Sequence, residues 1–360
     1  MLDPLFLERA ASAACSPDGP YGAMGSADAN GIRLPSGFSS KGVAVSGTRV
    51  GPTGYTWHRA PDGGAVFALA GGGWVYVSNS EIGGGGGGAS SISFDSSGTV
   101  TGAGRILSGT NRNCAGGATP WGRWLSCEEV DRGYVYECAV TANNAVRRPR
   151  LGRFNHEAAA VDGPRKSVYM TEDEPDGCLY RFRYSNANDL STGTLQVVKV
   201  TSGLVTWSTV PDPKAATTRT RYQVSGVRRF SGGEGIWFGD DVVHFAAKGE
   251  NRVWRYDVVS ATLTAAYDLS TTCNPVLSGV DNVVVARGGD VYVAEDGGNM
   301  QLAILAPEGS VSPFLEVTGQ TGSELTGPAF SPDGSRLYLS SQRGGNGTGI
   351  TSEVGGPFRT

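Results

Sequence analysis

The chain has 360 residues, of which 39% are hydrophobic, 9% aromatic and 18% charged, and 55 are glycine. This composition excludes a disordered chain, and the length suits one large domain or two ordinary ones. The net charge is −4, and the 30 basic residues form no run longer than Arg147-Arg148, which excludes a nucleic-acid-binding surface. No window approaches about eighteen consecutive apolar residues, so no membrane span is expected.

The start of the chain and its cysteines say little about the cellular compartment. Residues 1–20 contain acids and lack a basic start and a long apolar centre, so they do not read as an export signal. The six cysteines form no CxxC pair and have no histidine at zinc-finger spacing; they are Cys15, Cys114, Cys127, Cys138, Cys178 and Cys273. Cys114 could be an inert buried thiol or a disulfide partner of Cys127 or Cys138.

Six pairs of strand-like phrases recur along the chain. The second phrase of each pair ends in a polar residue, and these phrases span residues 71–81, 122–129, 167–173, 241–248, 290–296 and 335–342. Equivalent ends are separated by 48, 43, 76, 47 and 47 residues. A period near 45 with paired strands is typical of a β-propeller. We therefore predict an all-β, six-bladed β-propeller with one inter-blade insertion and little helix.

The spacing also predicts the domain limits. The gap of 76 residues indicates an insertion at about residues 190–226. Residues 38–47 are strand-like and could complete the last blade, closing the ring. We expect residues 1–36 to be an N-terminal extension and residues 37–360 to be a single propeller domain, in a monomeric protein.

The repeat predicts where chemistry could lie, because the innermost strands of a propeller converge on one channel. Both phrases of most pairs place acids at equivalent positions. Two carboxylates 4 Å apart repel by about 4 kcal/mol at an effective dielectric near 20, so a ring of them indicates bound cations. Oxygen ligands favour calcium or magnesium, and the thiolate of Cys114 would add a softer metal such as iron. For any single acid, the alternative is an exposed or turn-capping residue.

The phrases resemble the PhoX-type alkaline phosphatases of bacteria and their relatives. The most specific matches are NCAGGATPWGRWLSCEE (113–129), GRFNHEAAAVD (152–162), GGEGIWF (232–238) and ELTGPAFSPDGSRLYLSSQ (324–342). The resemblance implies a six-bladed propeller that hydrolyses small phosphate monoesters with iron and calcium in its channel. It also implies export to the periplasm or beyond, although no export signal is visible at residues 1–20.

The resemblance further implies roles for individual residues. Cys114 is implied as an iron ligand, and Glu157 and Glu234 as iron or bridging ligands. The implied calcium ligands or their supports are Glu129, Asp173, Glu295 and Glu324.

One position departs from the family pattern. The family places a phosphate-holding arginine two residues before Glu234, and this chain has Gly232 there. Arg123, Arg229 or Lys248 could replace that arginine, so we take Glu234, Lys248 and Arg123 as candidate catalytic residues. A simple charge partner is the alternative for Lys248. The alternative functions are a non-catalytic calcium-binding propeller and a calcium-dependent, lactonase-like hydrolase.

Overall fold

The computed structural model describes residues 19–273 and 275–360. Residues 1–18, which carry Cys15 and most of the segment that does not read as an export signal, lie outside the described residues. Within the described residues the only helices are three short 3₁₀ turns, Pro149–Leu151, Thr220–Tyr222 and Lys248–Glu250. The prediction of little helix is therefore confirmed for this part of the chain. No helix in it is long and apolar enough to cross a membrane.

The described chain forms 26 β-strands. In chain order they are β1 (Ile32–Arg33), β2 (Ser39–Val45), β3 (Pro61–Ala68), β4 (Trp74–Ser80), β5 (Gly87–Phe94), β6 (Val100–Thr110), β7 (Asn113–Ala118), β8 (Arg123–Glu128), β9 (Val135–Ala139), β10 (Ala145–Arg147), β11 (His156–Asp162), β12 (Ser167–Glu172), β13 (Leu179–Asn186), β14 (Asp189–Thr201), β15 (Leu204–Thr209), β16 (Gly233–Gly239), β17 (Val242–Ala247), β18 (Arg252–Asp257), β19 (Thr262–Asp268), β20 (Val280–Val285), β21 (Val291–Glu295), β22 (Gln301–Leu305), β23 (Val311–Val317), β24 (Leu325–Phe330), β25 (Arg336–Ser341) and β26 (Ile350–Gly355).

These strands make antiparallel sheets arranged as in a propeller. Three sheets have four strands, in the orders β3-β4-β5-β6, β7-β8-β9-β10 and β24-β25-β26-β2, and one has five, in the order β20-β21-β22-β23-β1. The fifth sheet has nine strands, in the order β11-β12-β13-β14-β15-β19-β18-β17-β16. The first strands of the repeats, β3, β7, β11, β16, β20 and β24, each contact the next, and β24 returns to β3. They form the wall of a central channel.

The all-β propeller architecture is confirmed, whereas the count of six separate blades is not. Four sheets are separate, and the strands expected to form two further blades belong to the single nine-stranded sheet. The link is β15, which pairs along β14 and then meets β19 at one position, Leu204 opposite Thr262. Strand β15 lies within residues 190–226, where the sequence predicts an insertion. Strand β15 thus joins the strands expected for two neighbouring blades into one sheet. The repeat spacing could not reveal this pairing.

The ring closes with a strand from near the start of the chain. Strand β2 pairs with β26 from Ser39 opposite Gly355 to Val45 opposite Ile350, which confirms the prediction for residues 38–47. Strand β1 adds to the neighbouring sheet by pairing with β23. Apolar residues between adjacent sheets form the core; the largest buried cluster, around Tyr292 and Phe314, joins the last two sheets to the N-terminal segment. Hydrogen bonds and apolar packing therefore hold the first strands of the described chain against its last strands and close the ring.

Candidate metal centre

A β-bulge recurs near the start of every innermost strand. In each of these strands two residues oppose a single residue of the next strand, as between Asn113 and Gly116 of β7 and between Gly233 and Ile236 of β16. The same register break occurs in β3, β11, β20 and β24. Bulges re-aim side chains that a regular strand would place elsewhere. The first bulged residues form a first ring around the channel. They are Asp62, Cys114, Glu157, Glu234, Asp281 and Gly327, and five of these six have a side chain of a type that can ligate metal.

Two of the second bulged residues, Gly63 and Gly235, are glycines because neighbouring inner strands pack closely against them. A Cβ atom built on Gly63 would lie 2.4 Å from Cα of Ala115, and one on Gly235 would lie 2.6 Å from Cα of Asn282. Real Cβ atoms do not approach that closely, so glycine is required at both positions. The many glycines and alanines of the channel wall thereby let the ligand-bearing bulges converge.

A second ring of polar residues comes from the strand that follows each inner strand. Its members each come directly after the end of that strand, and they are Glu81, Glu129, Asp173, Lys248, Asp296 and Gln342. Each of them donates its backbone N–H to the carbonyl of the residue that directly precedes the inner strand. For example, Glu129 donates to Arg112 and Asp296 donates to Gly279. Six equivalent backbone positions therefore present their side chains to one end of the channel.

Three of these strand ends carry two consecutive acids, and the two carboxylates of each pair have different surroundings. The pairs are Glu128-Glu129, Glu172-Asp173 and Glu295-Asp296. Glu295 is fully buried and accepts hydrogen bonds from the backbone N–H groups of Ser278 (2.8 Å) and Gln301 (3.0 Å). Glu128 accepts from Asn111 and Tyr134 in the same way. Glu295 thus holds a loop, and its neighbour Asp296 lines the cavity. Strand alternation turns Glu295 away from the channel, so of its two predicted roles, ligand or support of a ligand, the structure favours the support.

The two rings enclose a polar cavity of about 150 Å³ at one end of the channel. Its lining residues are Glu81, Arg112, Cys114, Glu129, Glu157, Asp173, Glu234, Lys248, Asp281, Asp296, Glu324 and Arg343. Six of the seven residues expected as metal ligands are therefore brought together: Cys114, Glu129, Glu157, Asp173, Glu234 and Glu324. Lys248 is also present. The repeat in the sequence places Glu81, Asp281 and Asp296 at acidic ring positions, although none of them was assigned as a ligand. Nothing in the sequence indicated Arg112 or Arg343.

Arg123 and Arg229 do not reach the cavity, contrary to the expectation that either could replace the missing arginine. Arg123 begins β8, at the opposite end from Glu128. Arg229 donates to the carbonyls of Asp176 and Arg221. Gly232 has φ +63°, and a Cβ there would lie 3.4 Å from Oδ1 of Asp173. An arginine at this position would therefore be strained in this backbone.

Cys114 carries a free thiol, as do Cys127, Cys138 and Cys178. The alternative of a disulfide from Cys114 to Cys127 or Cys138 is therefore wrong. The Cys114 Sγ lies 3.5 Å from Oδ2 of Asp62, and burial, followed by the Asp62 charge, raises the pKa of this thiol well above its ordinary value. A bound metal ion would favour the thiolate, which is the form that ligates metals.

The carboxylates of the cavity have strongly perturbed acidities. Burial, with repulsion from Glu234 as the next cause, raises the pKa of Glu157 well above its ordinary value. Burial and the nearby Asp281 do the same for Glu234. One oxygen of Glu157, Oε1, is buried without a hydrogen-bond partner. A buried, unpartnered carboxylate oxygen among like charges is costly, and a cation would relieve that cost.

Metal-ligand atoms come together in four overlapping groups, within each of which all three atoms lie within 4.8 Å of one another. The groups are Cys114–Glu129–Glu157, Glu157–Glu234–Asp281, Asp281–Asp296–Glu324 and Asp62–Glu81–Glu324. Glu157, Asp281 and Glu324 each belong to two groups. The donor set fits metal ions: one group contains a sulfur ligand, and the other three contain oxygen alone, as calcium prefers.

The segment within the predicted insertion supports one side of this end of the channel. Arg221 is only 4% exposed, and its guanidinium lies 2.9 Å from Oε1 of Glu172 and 3.0 Å from Oδ1 of Asp176. Glu172 directly precedes the cavity residue Asp173. Arg221 therefore holds in place the loop that presents Asp173, by contacts that the sequence did not indicate.

The protonation of these acids predicts how stability depends on pH when metal is removed. Burial raises the pKa of Glu129 to about 8, although Arg112 opposes the shift. Burial, Asp281 and Asp296 raise the pKa of Glu324 to about 8. In the unfolded chain both groups lose their protons near the ordinary value of 4.5. The folded state therefore binds more protons between these limits, and the free energy of unfolding falls as pH rises through them.

We expect the melting temperature of the protein in EDTA to fall between about pH 5 and about pH 8, and saturating calcium to flatten this decline. Thermal unfolding across this range, with and without calcium, measures both slopes. Identical slopes in EDTA and calcium would contradict the expectation that cations replace protons in the cavity.

The ring of inner strands and the acidic cavity define a β-propeller whose channel is lined by side chains that could ligate metal ions. The sequence model of the family described as alkaline phosphatase PhoX matches residues 78–143, 130–266 and 254–345. The chain therefore belongs to the PhoX alkaline phosphatase family. Comparison with curated proteins finds no match.

Similar solved structures agree with this assignment of the fold. PhoX of Pseudomonas fluorescens, in complex with vanadate as a transition state analogue, superposes with a TM-score of 0.77 at 18% identity, covering 95% of this chain and 98% of that one. A protein of unknown function from Bacteroides thetaiotaomicron gives 0.55 at 10% identity, covering 88% and 76%. One of unknown function from Dyadobacter fermentans gives 0.54 at 10% identity, covering 91% and 100%. Family and fold together support a phosphatase-like hydrolase.

Proposed function

We propose that this chain is a metal-dependent hydrolase of phosphate monoesters whose substrate reacts in the acidic cavity. The observation that carries the proposal is the overlap of the four ligand groups, which share Glu157, Asp281 and Glu324. A shared ligand requires neighbouring cations to lie close together. Adjacent cations, when bound, polarise the phosphoryl oxygens and stabilise charge on the leaving oxygen.

The donor chemistry supports an assignment of iron and calcium to particular ligand groups. Iron suits the group with Cys114, Glu129 and Glu157, because a thiolate is a softer ligand than a carboxylate. Calcium suits the three groups that contain only carboxylates. Asp173 lines the same cavity and would complete or support a calcium site. Glu234 belongs to the Glu157–Glu234–Asp281 group, whose other two members are each shared with a neighbouring group. This position supports a ligand role for Glu234 in the middle of the cluster.

Two arginines at the cavity could hold the phosphate in place of the arginine that Gly232 replaces. Arg112 lies 2.9 Å from Oε1 of Glu81, and Arg343 lies 3.1 Å from Oε1 of Glu324. Their side chains are 51% and 47% exposed, so each guanidinium can meet an incoming anion. Arginine suits this role because its planar guanidinium binds phosphate oxygens in pairs.

We expect Arg112→Gln and Arg343→Gln each to raise the KM for an aryl phosphate about tenfold or more, since a charged hydrogen bond contributes about 1.5–3 kcal/mol. Steady-state kinetics measures this, with bound metal assayed in parallel because both arginines also pair with candidate ligands. Arg33→Gln is the matched control, because Arg33 lies on the edge strand β1 and pairs with Glu316 of β23. Unchanged KM in both cavity variants would exclude these arginines as the phosphate contact.

Elemental analysis of protein purified without chelators, together with aryl phosphate hydrolysis in added calcium, tests the function. Iron at about one per chain or more, with calcium-dependent turnover, supports the proposal. Calcium without iron and without turnover would instead favour a non-catalytic calcium-binding propeller. A single divalent ion, with hydrolysis of lactones but not of phosphate esters, would favour a lactonase-like hydrolase.

A further inference from the structure

Lys248 occupies a ring position where four other repeats place a carboxylate. The equivalent residues are Glu81, Glu129, Asp173 and Asp296, and the sixth is Gln342. The equivalence is structural: Lys248 donates its backbone N–H to Gly232 at 2.7 Å, as Asp173 donates to Asn155 at 3.1 Å. Lys248 is thus the single cation among these six positions, and its side chain projects from a backbone fixed in the same way as those of the acids.

The ammonium of Lys248 lies among the ligand atoms of the cavity. Its Nζ is 3.0 Å from Oε1 of Glu234, 3.3 Å from Oδ2 of Asp281 and 3.1 Å from Oδ2 of Asp296. Asp281 and Asp296 are two of the three residues in the Asp281–Asp296–Glu324 ligand group. The lysine therefore uses carboxylates that a cation in this group would need.

A calcium ion binds carboxylate oxygens at about 2.3–2.6 Å. An ion held by the carboxylates of Asp281 and Asp296 would lie within about 6 Å of Nζ, because both cations contact the same two groups. A divalent ion and an ammonium so close together in a largely buried site repel one another strongly. The lysine stem has four carbons and the side chain is 33% exposed, so the ammonium has a path toward the cavity mouth while its backbone stays fixed.

We infer that Lys248 is a tethered cation that competes with a divalent metal ion for the Asp281–Asp296–Glu324 position. Without metal, its ammonium neutralises part of the acidic cluster. When a cation binds there, the ammonium leaves these carboxylates and moves toward the mouth, where a phosphate anion would arrive. This inference rests on the proposed metal chemistry of the cavity, and it assigns Lys248 a role in metal loading rather than that of a fixed salt bridge.

Calcium binding to Lys248→Met tests the inference. Methionine keeps an unbranched stem of similar length and removes the charge. Isothermal titration of the metal-stripped protein with calcium should show the weakest site of the wild type binding at least tenfold more tightly in Lys248→Met. Lys214→Met, at an exposed lysine outside the cavity, should bind calcium as the wild type does.

Thermal unfolding adds a second measurement, because the effect of Lys248→Met on the melting temperature should differ between the metal-free and the calcium-bound protein. In EDTA, Lys248→Met should melt below the wild type, because its carboxylates have lost their counter-charge. In saturating calcium it should melt at or above the wild type. A variant that is equally destabilised with and without calcium would indicate a fixed structural ion pair and overturn the inference.

The wild-type protein provides a second test that does not depend on the folding of a variant. The chain has only five lysines, at positions 41, 166, 199, 214 and 248, so amine acylation can be followed at each by peptide mass spectrometry. Calcium should increase acylation of Lys248 several-fold while Lys214 stays constant.

The possible failures are distinguishable. A wild type that binds no metal would overturn both the proposed function and this inference. A wild type that binds calcium, with unchanged affinity in Lys248→Met and unchanged labelling of Lys248, would overturn this inference alone.

Discussion

Glu234→Gln is expected to abolish phosphate ester hydrolysis and to reduce the metal bound to the purified protein. Glu234 is 2% exposed and belongs to the Glu157–Glu234–Asp281 group, which shares Glu157 with the sulfur-containing group and Asp281 with a further carboxylate group. Glutamine preserves its size but removes the negative charge that a cation requires. Because this group shares ligands with both of its neighbours, loss of Glu234 should disturb the adjacent cations as well and lower kcat by about 1,000-fold.

Cys114→Ser should have a related effect with a different metal signature. Serine replaces the sulfur ligand by a hydroxyl that is not ionised at neutral pH, so iron content should fall more than calcium content. Glu308→Gln is the control for both variants, because Glu308 is 49% exposed and pairs with Arg359, outside the residues that line the cavity. Elemental analysis and aryl phosphate turnover measure the outcomes. Metal content and turnover that match the wild type in both Glu234→Gln and Cys114→Ser would exclude the site assignment.

Gly117→Ala should destabilise the propeller more than substitutions elsewhere in the sheets. Gly117 lies in β7, and a Cβ atom there would lie 1.8 Å from the backbone oxygen of Ala159 in β11, the next inner strand. Relief requires a shift of backbone in the ring itself, since no flexible side chain can move aside. Overpacking of this kind costs about 1–3 kcal/mol in the free energy of unfolding, and we expect the upper end here because only backbone can move.

Gly104→Ala is the matched control. Gly104 lies in the outer strand β6, and a Cβ atom there would have no heavy atom within 4 Å. Denaturant unfolding of the three proteins gives the comparison. If Gly117→Ala is as stable as Gly104→Ala, the inner strands do not pack as tightly as the structure indicates.

The repeat in the sequence was enough to predict the propeller and most of the residues that line the candidate site. Phrases that recur with a nearly constant period require repeating strand units, and such units bury their faces only by packing on their neighbours. The same periodicity placed Cys114, Glu157 and Glu234 at equivalent positions, which the structure brings to one cavity. It could not identify the bulges that direct these side chains inward, because a bulge is defined by register against a partner strand.

Other features depended on contacts between distant parts of the chain. The choice between Glu295 and Asp296 follows from which side chain faces the channel, and that depends on the strand pairing at Val280. Arg112 lies in the connection between β6 and β7 and Arg343 in the connection after β25, yet both converge on Glu81, and no spacing in the sequence relates them. The joining of two expected blades likewise follows from the pairing of β15 with β19 at Leu204 opposite Thr262.

The sequence by itself therefore determined the all-β class, the ring architecture and the accumulation of acids at repeated positions. These properties follow from local strand propensity and from a period that each repeat carries within itself. Only the tertiary structure decided which acid of each pair enters the cavity, which cations accompany the acids and how the sheets are divided. Those features arise from distances between atoms far apart in the chain, which register and closure of the ring determine.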